Sequence, residues 1–383
     1  MEVYSIVKKI SFISIMKKIV KRVIIVKISE AKQCIKELYL HTNSVSALIS
    51  ERGVGKTSAY KQCADELDIG YIGLYAAALE GPDFMGLPDK DREKGITRYL
   101  APQFLPTEQA VSEGLFPVKG LLVLEEINRV PSDTVSVLYP LLLERKINGH
   151  SLAPGWKIGV TMNPDTMNYS VNSLDDAMLD RFVAIEVTAD LEDYIEYSVK
   201  NNSNDDVLAY LQACPDMLLM VKKSSDATAV SKSPTPRAWT KVQELLNNCN
   251  LNDKLMMELI AGMLGPETAA SFYGFMKNKD FKIPSTQILL DDFEEVKPVI
   301  SAILERKRLD IINLIIKKAI ITFELKEEHM TNLNAFIEFI PEELSILFFK
   351  ILATKRADEF QEIIQHLRVF DKVSDKIIEV MMV

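Results

Sequence analysis

A short run of small and cationic residues has the composition of a phosphate-binding loop. It extends from Ser50 to Thr57 and consists of Ser-Glu-Arg-Gly-Val-Gly-Lys-Thr. Gly53 and Gly55 allow positive φ angles, so that consecutive backbone N–H groups can curl around phosphate oxygens. Lys56 can reach the β- and γ-phosphates of a nucleotide, and the Thr57 hydroxyl can ligate magnesium. The run therefore predicts a site for a nucleoside triphosphate with its metal ion.

The loop departs from the pattern GxxxxGK[ST] at one position, where Ser50 replaces the first glycine. Serine is small, so we expect the turn to tolerate it. A strand-to-helix turn that carries Lys-Thr by chance is the alternative interpretation. The candidate nucleotide-binding residues of the loop are Gly53, Val54, Gly55, Lys56, Thr57 and Ser58.

A second chemical feature is an apolar strand that ends in two carboxylates. Residues 121–124 are followed by Glu125 and Glu126. If this strand lies beside the strand that precedes the loop, one acid is near the magnesium and the next is near the attacking water. Glu125 stands where aspartate is usual in P-loop ATPases. The acids follow Lys56 by about seventy residues, a typical separation for two strands of one nucleotide-binding sheet. The alternative is a strand that simply ends in solvent.

The elements that must position these residues follow from hydrophobic periodicity. Strands are predicted at 44–50, 70–75, 120–124, 156–162 and 182–187, and helices at 30–41, 56–67 and 132–144. Residues 80–107 are rich in Gly, Pro and charge, which indicates loops and hairpins, and Asn148-Gly149 is a hairpin turn signal. Strands that alternate with helices predict an α/β fold, a P-loop parallel sheet with flanking helices.

The pattern changes after about residue 190, where the chain becomes helical. Residues 222–235 are polar and are expected to form a loop, and residues 252–383 are predicted to be helical without a chemical motif. These helices either contact a partner or complete the core of the helical segment before them.

Together, the loop Gly53-Val-Gly-Lys-Thr57 and the segment Leu124-Glu-Glu-Ile-Asn-Arg129 resemble the AAA+ ATPase family, specifically its MoxR branch of CbbQ/NorQ/GvpN-like proteins. The resemblance extends from about residue 40 to about residue 246, and further segments along the chain support it. The segment Gly86-Leu-Pro88, with Tyr99, Pro102 and Leu105-Pro106, resembles the insert after the second strand, and residues 141–152 resemble the next hairpin. The segment Thr161-Met-Asn163-Pro resembles the end of the sensor strand. Leu179-Asp-Arg181-Phe182 resembles the arginine-finger segment, and Thr235-Pro-Arg237-Ala-Trp239 resembles the lid sensor.

The resemblance implies a role for each of these polar residues. Asn163 would contact the γ-phosphate or its water, Arg181 would reach the nucleotide of a neighbouring subunit, and Arg237 would sense ATP from the lid. The implied catalytic residues are Glu126, Asn163 and Arg181, and the implied metal ligands are Thr57 and Glu125. Taken singly, Asn163 could end an ordinary turn, and Arg181 and Arg237 could be ordinary helix-end arginines. Arg129 is a structural arginine or a second candidate for the finger.

The same resemblance implies the domain organisation and the partners. We expect an N-terminal extension at 1–29, the AAA+ core at 30–190, a helical lid at 191–250 and a helical C-terminal region at 251–383. The cofactors would be ATP and Mg²⁺. The assembly would be a homo-oligomer, a hexameric ring that remodels or activates a protein partner, possibly one with a von Willebrand factor A domain.

Composition limits the alternatives. The chain of 383 residues has a formal net charge of −9, which disfavours a nucleic-acid motor or restriction-type NTPase but does not exclude a local basic groove. Four scattered cysteines without a CxxC pair favour a reducing cytoplasm.

Residues 1–28 mix Ile and Val with Lys and Arg and hold no apolar run that could span a membrane. We expect an upstream extension with its natural start at Met16, or a strand and helix that pack on the core; a membrane-surface segment is the alternative. A nucleotide-gated scaffold without hydrolysis also remains possible.

Overall fold

The computed structural model describes residues 25–164, 176–201, 203–221, 232–278, 282–322, 324 and 326–374. The chain forms two compact units, of which the first ends at Asp190 and the second begins at Leu191. The predicted loop at 222–235 falls largely outside the described residues, as do residues 1–24 of the predicted N-terminal extension.

The first unit alternates strands with helices, as the periodicity predicts. Its strands are β1 Ile25–Lys27, β2 Val45–Ile49, β3 Gly70–Tyr75, β4 Pro88–Asp91, β5 Ile96–Tyr99, β6 Gly120–Glu125, β7 Lys146–Ile147, β8 His150–Ser151, β9 Trp156–Met162 and β10 Phe182–Thr188. Its helices are α1 Ile28–His41, α2 Lys56–Glu66, α3 Gly81–Met85, α4 Glu108–Ser112, α5 Ser132–Glu144 and α6 Asp176–Leu179. The strand β1 lies within the predicted extension at 1–29, and it forms an edge of the main sheet.

Six strands form one parallel sheet in the order β1-β10-β2-β9-β6-β3. The expectation that the acidic strand β6 lies beside the loop-bearing strand β2 is wrong, because β9 lies between them and pairs with both. All of β6 is buried, which explains its continuous apolar run. Since all six strands are parallel, their carboxyl ends meet at one edge of the sheet.

Close packing on the sheet needs small residues at defined positions. A Cβ atom on Gly120 would lie 2.6 Å from the ring of the buried Trp156. A Cβ atom on Gly159 would lie equally close, 2.6 Å, to the ring of the buried Tyr60 on α2. These two glycines in β6 and β9 let large aromatic side chains lie directly on the backbone, which brings α2 and the strands together beneath the candidate site.

Two small antiparallel hairpins extend from the first unit. In one of them β4 pairs with β5, and in the other β7 pairs with β8. The β7–β8 turn confirms the Asn-Gly signal: Asn148 and Gly149 have φ angles of 45° and 86°, which a two-residue primed turn requires.

All described elements of the second unit are helices. The α-helices are α7 Leu191–Lys200, α8 Asp205–Ala213, α9 Pro236–Asn248, α10 Asp253–Leu264, α11 Pro266–Asn278, α12 Thr286–Asp291, α13 Phe293–Glu305, α14 Leu309–Thr322, α15 Met330–Phe339, α16 Glu342–Lys355 and α17 Phe360–Gln365. Among the described helices of either unit, none is long and apolar enough to cross a bilayer. The predicted fold class, an α/β unit with a parallel sheet followed by helices, is confirmed.

The second unit has one aromatic core that crosses the predicted boundary at residue 250. Tyr210 and Trp239 come before that boundary, and Phe272 and Phe275 come after it. The Tyr210 ring centroid is 5.3 Å from that of Phe272 and 5.5 Å from that of Phe275. Trp239 and Phe272 are likewise 5.3 Å apart. Helices α8, α9 and α11 are thus held together by edge-to-face stacking.

Candidate functional site

The phosphate-binding loop joins the end of β2 to the start of α2. Gly53 and Gly55 have φ angles of 75° and 119°, where a side chain would strain the backbone. Gly55 is the N-cap of α2, and its carbonyl accepts the first helical bond from the Ala59 N–H at 2.8 Å. The N–H groups at the start of a helix point towards the residues that precede it, here the loop, and this arrangement favours anions.

Ser50 occupies the first position of the loop without backbone strain. Among the described non-glycine residues, positive φ angles occur at Asp68, Glu126, Arg145, Asn148 and Lys307, and Ser50 is not one of them. Its buried hydroxyl donates to the Glu51 carbonyl at 3.0 Å. The replacement of glycine therefore leaves the turn intact, as the sequence predicts.

Lys56 lies at the centre of the loop among neutral oxygen atoms. Its Nζ is 2.7 Å from the Ser50 carbonyl, 3.3 Å from the Ser50 hydroxyl and 3.4 Å from the Glu51 carbonyl. It also donates to the Asn163 Oδ1 at 3.2 Å. The ammonium group thus bridges the loop and the end of β9, where it could exchange these neutral acceptors for phosphate oxygens.

Glu125 at the end of β6 meets Thr57 on α2. The Thr57 hydroxyl donates to the Glu125 Oε2 at 2.7 Å, and Glu125 is 5% exposed. The Tyr71 hydroxyl on β3 lies 3.5 Å from the other carboxylate oxygen. Burial and the Glu125 charge raise the pKa of Tyr71, so its hydroxyl stays protonated and able to donate.

The Thr57 hydroxyl and the Glu125 carboxylate could hold a magnesium ion. Neighbouring ligands of an octahedral magnesium are about 3 Å apart, because each metal–oxygen bond is about 2.1 Å. The Thr57 and Glu125 oxygens, at 2.7 Å, already have nearly that spacing. Among the described residues, no group of three or more His, Cys, Asp and Glu side chains is placed to hold a metal ion.

Glu126 has different surroundings from its neighbour. Its backbone is left-handed, with φ 55° and ψ 42°, and its N–H donates to the Thr161 hydroxyl at 3.0 Å. Its side chain is 33% exposed and pairs with the Arg129 guanidinium, with Nη1 2.8 Å from Oε2. The left-handed residue turns the chain sharply after β6, so the two successive carboxylates occupy separate positions.

Asn163 is buried directly after β9 and faces the loop. Its backbone is held by the Asn128 side chain: the Asn128 Nδ2 donates to the Asn163 carbonyl at 2.8 Å, and the Asn163 N–H donates to the Asn128 Oδ1 at 3.3 Å. Its own Oδ1 accepts from Lys56. The carboxyl ends of β2, β6 and β9 therefore bring together Lys56, Thr57, Glu125 and Asn163.

Arg181 lies directly before β10, at the amino ends of the strands, whereas the loop lies at their carboxyl ends. The next residue, Phe182, is paired with Val45 at the start of β2, whereas Glu186 is paired with Ile49 at the end of β2. At about 3.3 Å per residue, Arg181 is roughly 15 Å along the strands from the loop of its own chain. Its backbone N–H donates to the Met178 carbonyl at 3.0 Å, and the residue is exposed. Arg181 therefore lies well away from the candidate phosphate-binding loop of its own chain.

Arg237 belongs to the second unit. It is exposed in the first turn of α9, after the N-cap Thr235, whose side chain accepts from the Ala238 N–H at 3.1 Å. Its separation from the loop therefore depends on how the two units are arranged, and its sensor role stays a prediction.

Three residues of the site were not assigned a role from the sequence, namely Tyr71, Asn128 and Thr161. Asn128 and Thr161 lie inside motifs that were recognised, two residues from Glu126 and Asn163 respectively. Their hydrogen bonds join two different strands, a relation that spacing along one chain cannot reveal. Tyr71 carried no signal beyond its place in a predicted strand.

The sequence matches no protein-family model and no curated protein. Solved structures that are similar to this chain include a proposed ATPase from Cytophaga hutchinsonii, at 16% identity and a TM-score of 0.31, covering 73% of this chain and 99% of that one. NtrX from Brucella abortus has 12% identity and a TM-score of 0.38, covering 92% and 75%. A variant of RuvB from Thermotoga maritima has 13% identity and a TM-score of 0.33, covering 68% and 73%.

Proposed function

We propose that the protein is an ATPase of the AAA+ type, related to the MoxR branch, that hydrolyses ATP with magnesium. The observation that carries the proposal is the convergence of Lys56, Thr57, Glu125 and Asn163 at one edge of the sheet. A chance strand-to-helix turn has no reason to meet a buried carboxylate and a buried amide from two other strands.

The proposed reaction is attack of water on the γ-phosphorus, with cleavage of the bond to the β-phosphate oxygen. Lys56 and the loop N–H groups would bind the phosphates, and Thr57 and Glu125 would hold a magnesium ion, which would supply neutralisation of the phosphate charge. Glu126 takes the proton of the attacking water, ADP leaves with the electron pair of the broken bond, and Asn163 orients the γ-phosphate or the water.

The proposed assembly is a homo-oligomeric, hexameric ring. The position of Arg181 supports it, because this arginine lies roughly 15 Å along the strands from the loop of its own chain and so would serve a nucleotide in a neighbouring subunit. Arg237 would report the bound nucleotide to the helical lid at 191–250. The work of the ring would be to remodel or activate a protein partner, possibly one with a von Willebrand factor A domain, in the cytoplasm.

A nucleotide-gated scaffold is the second candidate function, and one contact favours it. The Glu126 carboxylate is bound by Arg129, at 2.8 Å, rather than free to accept a proton. If this ion pair persists with ATP bound, the chain would bind nucleotide without turnover. Exposed pairs of this kind contribute little energy, about 0–1 kcal/mol, so a correctly placed water can compete for Glu126.

Steady-state hydrolysis and equilibrium binding of ATP and GTP test the proposal. The wild-type chain should hydrolyse ATP, and Lys56→Ala should lose most of its nucleotide affinity because a cation that faces several phosphate oxygens is removed. Lys61→Ala is the matched control, since Lys61 is an exposed lysine on the same helix. Binding without hydrolysis would favour the scaffold, DNA-stimulated turnover would favour a nucleic-acid motor, and unchanged affinity in Lys56→Ala would overturn the nucleotide site.

A further inference from the structure

The loop after β6 is joined to the end of β9 by two side chains that replace backbone pairing. The parallel ladder between these strands ends at the pair Leu124 and Val160. Beyond it, the Thr161 hydroxyl accepts from the Glu126 N–H at 3.0 Å. Two residues further, the Asn128 carboxamide bonds both the N–H and the carbonyl of Asn163.

The Asn128 contact is well placed to control a side chain that it does not touch. Asn128 is 6% exposed, and its amide uses both its donor and its acceptor on one neighbouring residue. Such a pairing fixes the Asn163 peptide in position and in orientation. The direction of the Asn163 side chain, whose Oδ1 lies 3.2 Å from the Lys56 Nζ, follows from that backbone.

We propose that Asn128 is a positioning residue, which orients Asn163 towards the γ-phosphate and keeps Asn163 at a fixed distance from Glu126. This inference depends on the proposed function, since it assigns Asn128 to the same site. Glu126 and Asn128 lie on one loop, and Thr161 and Asn163 lie on one strand end. The two cross-links therefore fix the distance between the group that accepts the proton and the group that orients the phosphate.

A purely structural role for Asn128 makes a different prediction. In that case its loss would expose two backbone groups and lower the thermal midpoint, while the folded molecules would retain their turnover. Asn332 in the second unit is a matched control, because its amide also bonds backbone groups. It donates to the Leu290 and Asp291 carbonyls at 3.0 and 2.8 Å and accepts from the Phe293 N–H at 3.4 Å.

The test compares Asn128→Ala, Asn163→Ala, their double variant and Asn332→Ala in the full-length chain. Measurements are kcat, KM, the thermal midpoint, and the dissociation constants of ADP and of the slowly hydrolysed analogue ATPγS. A displaced orienting group costs up to about 100-fold in rate. We expect Asn128→Ala to lower kcat by about 10- to 100-fold with an ADP affinity within about twofold of wild type. Asn128→Asp has the same shape but lacks the donor, and it should show the same loss of kcat. It replaces Asn128→Ala in the test if the alanine variant does not fold.

Non-additivity distinguishes positioning from stability. If Asn128 acts through Asn163, the kcat of the double variant should lie within about twofold of the kcat of Asn163→Ala alone. Multiplied effects in the double variant, or a wild-type kcat in Asn128→Ala with only a lower midpoint as in Asn332→Ala, would overturn the role.

The proposed function can fail separately. A wild-type chain without nucleotide affinity overturns that function and the role of Asn128 together, whereas wild-type turnover with an additive cycle overturns only the role of Asn128. If the chain binds ATP without hydrolysing it, the ratio of ATPγS to ADP affinity replaces kcat in the same cycle. That ratio should then fall equally in the two single variants and in the double variant.

Discussion

Glu125 and Glu126 are adjacent in the chain but differ in what surrounds them. Glu125 is buried and receives the Thr57 hydroxyl, whereas Glu126 is partly exposed and pairs with Arg129. A buried carboxylate beside a hydroxyl suits metal binding, and a carboxylate in reach of solvent suits contact with water. The two environments therefore support the proposal that Glu125 binds metal and Glu126 activates water, although Glu125 replaces aspartate.

We expect Glu126→Gln to bind ATP but to stop turnover, because an amide is a poor proton acceptor. Glu125→Gln should instead lower the affinity for magnesium and lower turnover, since one oxygen ligand becomes an NH₂ group. Single-turnover hydrolysis and magnesium titrations measure both effects. Loss of hydrolysis in Glu125→Gln with normal hydrolysis in Glu126→Gln would show that the two roles are reversed.

At the residue scale the sequence predicts the chemistry better than the geometry. The glycines of the loop, the cation and both acids could be selected from the sequence because each has a residue type that its proposed task requires. The bonds of Asn128 and Thr161 were not, because asparagine and threonine suit many positions and their partners here lie 35 residues away. Such contacts depend on strand order, which local patterns do not specify.

The proposed phosphate binding would depend on the start of α2. Gly55 combines a φ angle of 119° with the N-cap position, and a Cβ atom there would have only the Ile28 side chain nearby, at 3.7 Å. Space is thus available, and the backbone angle alone demands glycine.

Gly55→Ala should therefore reduce nucleotide affinity, since relaxing the left-handed angle moves the N–H groups of the first helical turn. The unfavourable conformation costs of order 1–3 kcal/mol, which should also lower the thermal midpoint. Gly149→Ala is the control, because Gly149 likewise has a positive φ and open surroundings but lies in the β7–β8 turn. Isothermal titration with ADP measures the affinity. An equal loss of affinity in both variants would contradict the local role of Gly55.

The elements of the first unit were predicted closely, and their arrangement was not. The predicted strands and helices agree with the observed ones to within two residues at each end, because periodicity and glycine positions mark them. The placement of β9 between β2 and β6 is a property of the whole sheet, since a buried parallel strand has the same apolar pattern wherever it lies.

At the scale of the whole molecule, Arg181 lies at the amino ends of the strands and the loop lies at their carboxyl ends. Arg181→Ala should bind ATP but be nearly inactive, because an arginine finger contributes about 10³- to 10⁵-fold to turnover. Mixing it with inactive Glu126→Gln subunits should restore some activity, since a mixed interface can pair an intact Glu126 with an intact Arg181.

The mixing experiment requires that subunits exchange, which labelled subunits can report. Mixed rings without any recovered activity would mean that every site must be intact or that Arg181 has another role. Normal turnover in Arg181→Ala alone would exclude the finger assignment and make Arg129 the next candidate.

The aromatic core of the second unit bears on the region after residue 250. Truncation there removes Phe272 and Phe275, which cover Tyr210 and Trp239. We expect the shortened chain to be insoluble, measured as soluble yield. A soluble product with a normal ATPase rate would instead favour a role of these helices in partner contacts alone.

A point variant makes the same comparison without truncation. Phe272→Ala should lower stability by about 3–5 kcal/mol, the usual cost of emptying a buried aromatic site. Tyr273→Ala, at the neighbouring position, which is only partly buried, should cost less. Chemical denaturation measures both, and equal losses would show that the core does not depend on this stacking.

The convergence of β2, β6 and β9 at the candidate site also has a thermodynamic consequence. Its polar groups come from segments more than 100 residues apart in the chain, so an unfolded chain offers a nucleotide no comparable site. Bound ATP would act as a non-covalent cross-link of the sheet, stabilising the first unit by about 2.7 kcal/mol at a hundredfold excess over its dissociation constant. The folded fraction of this unit would then follow the supply of nucleotide in its surroundings, and depletion would lower its free energy of unfolding.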